Sequence, residues 1–289
     1  MDGVAPQLLA LCTALSYAAA NVSVRRGLRH SSAATATLVS LIVHASVFGL
    51  TVAATGGMRN APALAVGLIA VTGILQTGMR LWHYTGIEKV GTSRAVTLRS
   101  THPIVSVLIG ITILQEQATL AILLGTTLVV AGIIMTSWQA DEQIVGFRWR
   151  DLVFPMATAL ITGIVHPIRR YAMTIANEPL FFAAIVGVIS LVCFSSTLAA
   201  PAMRERLTWS SRALVPFVAA GVFEASAVLL MLSAFVSGPV VLVSPIAATS
   251  PIWTLVMSAV FLRDLERVNR YTVIGTLCVV AGVIAIYLA

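Results

Sequence analysis

Glu224 is the residue most able to do chemistry. Of the eleven Asp and Glu in the 289-residue chain, ten fall in connections or at the ends of apolar runs, and Glu224 alone lies in mid-run. A charged group at such depth in a bilayer costs about 2.5–3.5 kcal/mol or more unless it is paired or faces water. A carboxylate there can bind an amine or exchange a proton with a transport cavity. The simpler alternative is a hydrogen bond or ion pair to a neighbouring helix. Two further clusters stand on single helix faces. Gln76, Arg80 and His83 are spaced four and three apart, and Arg99 and His102 three apart. A hairpin turning near Glu88–Thr92 would bring the two arginines to similar depths. Guanidinium groups bind carboxylate or phosphate oxygens in a bidentate fork, so this pair suits an anionic group. Otherwise the long stems could carry the charges to the interface, Arg80 more easily than Arg99. Trp82 and Tyr84 flank His83 and read best as interfacial anchors.

Tyr17, Asn21 and His166 are further solute-facing candidates, with His44 a weaker one, although hydrogen bonding between helices is the commonest task of such residues in membranes. Pro103, Pro245 and Pro251 interrupt apolar runs, where a missing N–H favours a kink and a hinge could sit. Gly125 and Gly132, and likewise Gly275 and Gly282, are seven apart and share a face on which helices can approach closely. Glu116 and Asp264 each precede a helix and read as caps of its exposed N–H groups. Cys12, Cys193 and Cys278 lie in apolar runs without metal-ligand spacing, so neither a metal nor another cofactor is expected.

The elements that must position these residues follow from composition. The chain is 58% hydrophobic and 10% charged, against roughly 25% charged in soluble domains. A bilayer accommodates that apolar surface and water does not. The +7 charge comes from arginines dispersed among short connections, which is no nucleic-acid footprint. Ten windows approach the length of about 20 apolar residues that a spanning helix needs: 6–24, 34–54, 62–83, 93–113, 119–138, 152–171, 179–199, 213–235, 240–261 and 270–288. Trp138, Trp149, Trp209, Tyr171 and Tyr287 fall near their ends.

The windows repeat. Gly125-Thr-Thr-Leu-Val-Val-Ala-Gly-Ile-Ile134 and Gly275-Thr-Leu-Cys-Val-Val-Ala-Gly-Val-Ile284 agree at seven of ten positions. A shift of 148 pairs Gly73 with Gly221, Gln76 with Glu224, Thr101-x-Pro103-Ile104 with Thr249-x-Pro251-Ile252, and Glu116 with Asp264. Val24-Arg-Arg26 likewise echoes Ile168-Arg-Arg170. The expectation is an all-α membrane protein of ten transmembrane helices, with one five-helix repeat over 1–140 and a second over 141–289. Five is odd, so the second copy must be inverted relative to the first, as in secondary transporters whose sites lie between their repeats.

The run from Ala95 through Pro103 to Glu116 and Gly125-x6-Gly132, echoed from Pro251 through Asp264 to Gly282, resembles the EamA family of the drug/metabolite transporter superfamily. The resemblance implies a ten-helix carrier, commonly an exporter of amino acids or similar metabolites, in a bacterial cytoplasmic membrane. The expected partners are a small polar solute, the bilayer and, as a candidate coupling ion, the proton; nucleic acid is not among them. A multidrug carrier of lipophilic cations is the alternative within transport, disfavoured because the first helix has no carboxylate. A membrane-embedded receptor or enzyme is the alternative outside it, and it leaves the duplication unexplained. Basic residues favour the cytoplasmic side. Connections after odd-numbered windows hold Arg25, Arg26, Arg29, Lys89, Arg94, Arg148, Arg150, Arg204, Arg206, Arg212, Arg263, Arg267 and Arg270. Those after even-numbered windows hold only Arg59, Arg169 and Arg170. Thirteen against three places both termini outside, whereas the resemblance implies cytoplasmic termini.

Overall fold

Lipid offers backbone N–H and C=O groups no partners, so a spanning segment must satisfy them within itself, as an α-helix does. In the computed structural model, which describes residues 6–55, 61–137, 148–261 and 270–288, the regular elements are all helical. The first half contains α1 (Pro6–Leu28), α2 (Ala33–Ala54), α3 (Ala63–Val90), α4 (Thr92–Arg99), α5 (Pro103–Thr112) and α6 (Leu120–Ser137). After a 3-10 turn at Trp149–Leu152, the second contains α7 (Val153–Ile175), α8 (Pro179–Thr197), the short α9 (Pro201–Arg204), α10 (Ser211–Ser237), α11 (Val240–Ala247), α12 (Ser250–Phe261) and α13 (Arg270–Tyr287). Eight stretches among the described residues are long and apolar enough to cross a membrane, with α4–α5 and α11–α12 each forming one of them. The fifth and tenth windows hold shorter apolar helices, Leu120–Met135 and Ile274–Tyr287.

Two spans are broken. The fourth stops at Arg99, turns through Ser100–His102 and resumes at Pro103; the ninth stops at Ala247 and resumes at Ser250, next to Pro251. A proline cannot donate to the preceding turn but fits the first positions of a new helix, which explains both breaks. Pro245 lies inside α11 without ending it. The hairpin between α3 and α4 turns at Gly91, whose φ of 87° suits a residue without Cβ.

Contacts in the first half have counterparts in the second. α1 packs on α10 as α7 packs on α3, and α2 packs on α10 as α8 packs on α3, while α2 meets α8 and α6 meets α13. The last pair is the tightest. A Cβ at Gly125 would lie 2.7 Å from the carbonyl oxygen of Gly282, and one at Gly132 would lie 2.6 Å from that of Gly275. The glycines therefore match in reverse order, and α6 and α13 run antiparallel.

One end of the bundle gathers the α1–α2, α3–α4 and α8–α10 connections with the start of α7. Ser31 and Thr35 donate to the carbonyl of Thr208, Ser32 donates to that of Arg206 at 2.6 Å, and Lys89 meets Asp151 at 3.4 Å. The exposed basic residues of the described connections, from Arg26 and Arg29 to Arg204, Arg206 and Arg212, lie at this end. Arg169 and Arg170 do not belong to a connection, contrary to the sequence expectation. α7 continues past them to Ile175, and Arg169 is 1% exposed. Arg59, Trp138, Arg263, Asp264 and Arg267 lie outside the described residues.

Candidate functional site

Glu224 points from α10 into the bundle and is 4% exposed. Its Oε2 lies 3.6 Å from Nη2 of Arg80 on α3. Arg80 also donates to Ser40 Oγ at 3.4 Å and to Nδ1 of His44 at 3.3 Å. His44 in turn meets the carbonyl of Ala183 through Nε2 at 3.1 Å. The carbonyl needs a donor and the guanidinium an acceptor, so His44 is neutral with its proton on Nε2. Gly187 makes room for that ring, since a Cβ there would lie 2.6 Å from His44 Cδ2. Arg80 is only 2% exposed and so does not reach the interface, which removes the snorkelling alternative. It is deeper than its expected position because α3 runs on to Val90.

One turn before Arg80, Gln76 is 1% exposed and accepts through Oε1 from Nη2 of Arg169 at 3.1 Å. Arg169 also reaches Thr72 Oγ1 at 3.5 Å. This buried cation, which sequence reasoning assigned to a connection, is the main addition to the site. The residue was detectable: His166 and Arg169 are three apart and share a face.

Across the cluster, His83 Nε2 meets Asn21 Oδ1 at 2.8 Å, and Asn21 Nδ2 donates to Thr254 Oγ1 on α12 at 3.3 Å. The Asn21 carbonyl can only accept, so His83 carries its proton on Nε2. Arg99, 5% exposed at the end of α4, stacks its guanidinium carbon 4.5 Å from the centre of the Tyr17 ring. It has no carboxylate partner among the described residues. Arg99, Arg80 and Arg169 thus have Tyr17, Glu224 and Gln76 as their respective neighbours, and Gln76 and Arg80 lie one turn apart on α3. Tyr84 is fully buried rather than interfacial, whereas Trp82 is 37% exposed.

A second, uncharged group joins the two helix breaks. Ser244, next to Pro245 in α11, lies 3.2 Å from His102 Nδ1, 3.0 Å from His166 Nδ1 and 2.7 Å from Ser106 Oγ. The two imidazole rings are edge to face at 4.7 Å. Gly163 lets α7 close onto this break, for a Cβ there would lie 3.0 Å from the carbonyl of His102. The structure thus buries all nine expected polar residues between the halves, with Ser40, His44, Thr72, Arg169, Ser244 and Thr254 beside them.

Glu116 departs from expectation. It caps no helix of its own half; its two oxygens accept from the N–H groups of Val240 and Val241, at 2.9 and 3.1 Å, at the start of α11. Arg170 lies 3.6 Å from the same carboxylate and donates to the carbonyl of Phe235 at 2.6 Å. The carboxylate does meet the positive end of a helix, but that helix belongs to the other repeat.

The model of the EamA-like transporter family matches the chain twice, over residues 5–138 and 150–288. No curated protein matches it. Among 29 matching solved chains, one crystal structure of a protein is 15% identical to this chain, covers 98% of it and 96% of its own length, and superposes with a TM-score of 0.79. At that identity the likeness is one of fold.

Proposed function

We propose, since the chain belongs to the EamA-like transporter family and is an integral membrane protein, that it is a secondary carrier of ten spans which exports a small polar metabolite bearing a carboxylate. The observation that carries this reading is the burial of Arg80, Arg99 and Arg169, the first paired with Glu224, the second stacked on Tyr17 and the third bonded to Gln76 one turn from Arg80. Arg99 and Arg169 would hold the anionic group of the solute, and Glu224 would exchange a proton or meet an amine as Arg80 releases it. Antiparallel pairing of α6 with α13 and matched contacts across the halves support an inverted repeat. The breaks at His102–Pro103 and Thr249–Pro251 are the proposed hinges, with Pro245 adjoining the second. A lipophilic cation would meet mostly like charge, which disfavours the multidrug reading. The test is uptake of labelled amino acids and hydroxy acids into proteoliposomes, with each acid competed by its own amide. Acids should compete at least about tenfold better than amides, the value of one charge-assisted hydrogen bond; equal competition would remove the carboxylate from the reading.

Orientation follows the same charge logic. With Arg169 buried and Arg170 half-buried within α7, the described connections carry their exposed basic residues at one end, and we expect that end in the cytoplasm. In a background with Cys12, Cys193 and Cys278 replaced, Asn177→Cys should react with an impermeant thiol reagent on intact cells. Ala202→Cys, at the basic end, should react only after permeabilisation. The reverse pattern would place the termini inside.

A further inference from the structure

We propose that the central site takes a solute carrying two negative charges on oxyanion groups, a dicarboxylate or a phosphate monoester, in preference to a zwitterion. This rests on the carrier reading above and deepens it. Among the described residues, three guanidinium groups are buried at the centre, on Arg80, Arg99 and Arg169, each at most 5% exposed. One carboxylate, Glu224, faces them. Glu116 does not enter the count, because Arg170 and the start of α11 occupy it. The site therefore holds a surplus of two positive charges. Removing an ion from water costs several kcal/mol unless a counter-charge is supplied, and a bound solute is the natural supplier.

The unpaired atoms agree with that count. Nε of Arg80, Nε of Arg99 and Nε2 of Gln76 are buried without a hydrogen-bond partner. All three are donors; against them stand one unpaired acceptor, His83 Nδ1, and the Tyr84 hydroxyl, so unpaired donors outnumber acceptors, and each oxyanion group brings several acceptors. An ammonium group would add a fourth positive charge to a site whose one carboxylate already lies 3.6 Å from Arg80. The second surplus charge has a specific origin. Arg169 binds Gln76 Oε1, and Gln76 is the neutral residue at the repeat position where the other half has Glu224. A carboxylate at 76 would cancel one of the two charges.

The experiment uses the full-length protein in proteoliposomes at about pH 8, where a phosphate monoester is doubly ionised. Uptake of labelled succinate and labelled glycerol 3-phosphate is measured in competition with succinamate, succinamide and alanine. At least one dianion should be taken up, and it should out-compete succinamate and alanine by about tenfold or more, as one charge-assisted hydrogen bond allows. Which label enters distinguishes the dicarboxylate from the phosphate. Gln76→Glu should shrink the preference for dianion over succinamate about tenfold, whereas Gln76→Met, which keeps the surplus, should retain it. Alanine or succinamate competing as well as the dianion overturns the proposal and leaves the carrier reading standing. An unchanged preference in Gln76→Glu overturns it as well. If neither label enters, the proposal falls; if the labelled amino acids and hydroxy acids of the uptake assay above do not enter either, the carrier reading falls with it.

Discussion

Glu224→Gln is expected to reduce transport about a hundredfold, because the amide can neither exchange a proton nor supply the negative charge that Arg80 meets, and a charge-assisted contact is worth about 1.5–3 kcal/mol. The amide is nearly the same size, so the change is one of charge. Arg80 would keep Ser40 and His44 but lose its one carboxylate, and three cations would stand at the centre without any. Glu224→Asp, which keeps the charge on a shorter arm, should retain part of the activity. Counterflow of the solute identified by the uptake assay, at several external pH values, is the measurement. The Gln variant should be nearly silent, and whatever rate remains should no longer vary with pH. Elution of both variants as single species in detergent separates this from misfolding. Wild-type rate and pH dependence in the Gln variant would refute the assignment of Glu224 as the coupling group.

Arg99→Lys is expected to be almost as damaging as Arg99→Ala, with a tenfold to hundredfold loss of solute affinity, as for one charge-assisted hydrogen bond of about 1.5–3 kcal/mol. A lysine supplies the charge but neither a planar fork nor a flat surface for the Tyr17 ring. The stacking adds a second diagnostic, since a desolvated cation–π contact contributes about 2 kcal/mol. Tyr17→Phe should therefore be tolerated and Tyr17→Leu should not. Competition binding to the purified variants decides the matter, and a Lys variant with wild-type affinity would show that only the charge is needed. Sequence position suggested that Arg80 would matter less than Arg99 because it sits nearer the interface. Its burial and its contact with Glu224 cancel that ranking.

The architecture was readable because hydropathy and a repeat are one-dimensional signals. Eight of the ten expected windows hold helices long enough to span, most ends lying within about four residues but α3 running seven past its window, and of the three prolines Pro103 and Pro251 mark breaks while Pro245 does not. Arg169 was lost for the same reason: a charged residue near the end of an apolar window looks like the start of a connection. Only the five further helical residues after Arg170 show that the span continues. Ser40, Ser244 and Thr254 hardly register on a hydropathy scale, so the partners they provide to Arg80, His102, His166 and Asn21 could not be anticipated. Glu116 shows a different limit. Its position before α6 suggested a cap of that helix, and its carboxylate instead accepts from the start of α11, a partner only tertiary structure supplies.

The crossing of α6 and α13 constrains how the two halves can change. At most protein contacts, an enlarged side chain can be offset by a smaller one opposite. Here the oxygen of Gly282 faces the missing Cβ of Gly125, and the oxygen of Gly125 faces that of Gly282, at 2.7 and 2.6 Å. Each glycine meets backbone, and its counterpart has no side chain left to shrink. Second-site suppressors of a bulky replacement at Gly125 therefore cannot arise at position 282. They would have to separate the helices at other positions along the crossing. Although the halves diverge elsewhere, down to an amide opposite a carboxylate at 76 and 224, these glycine positions are held fixed together.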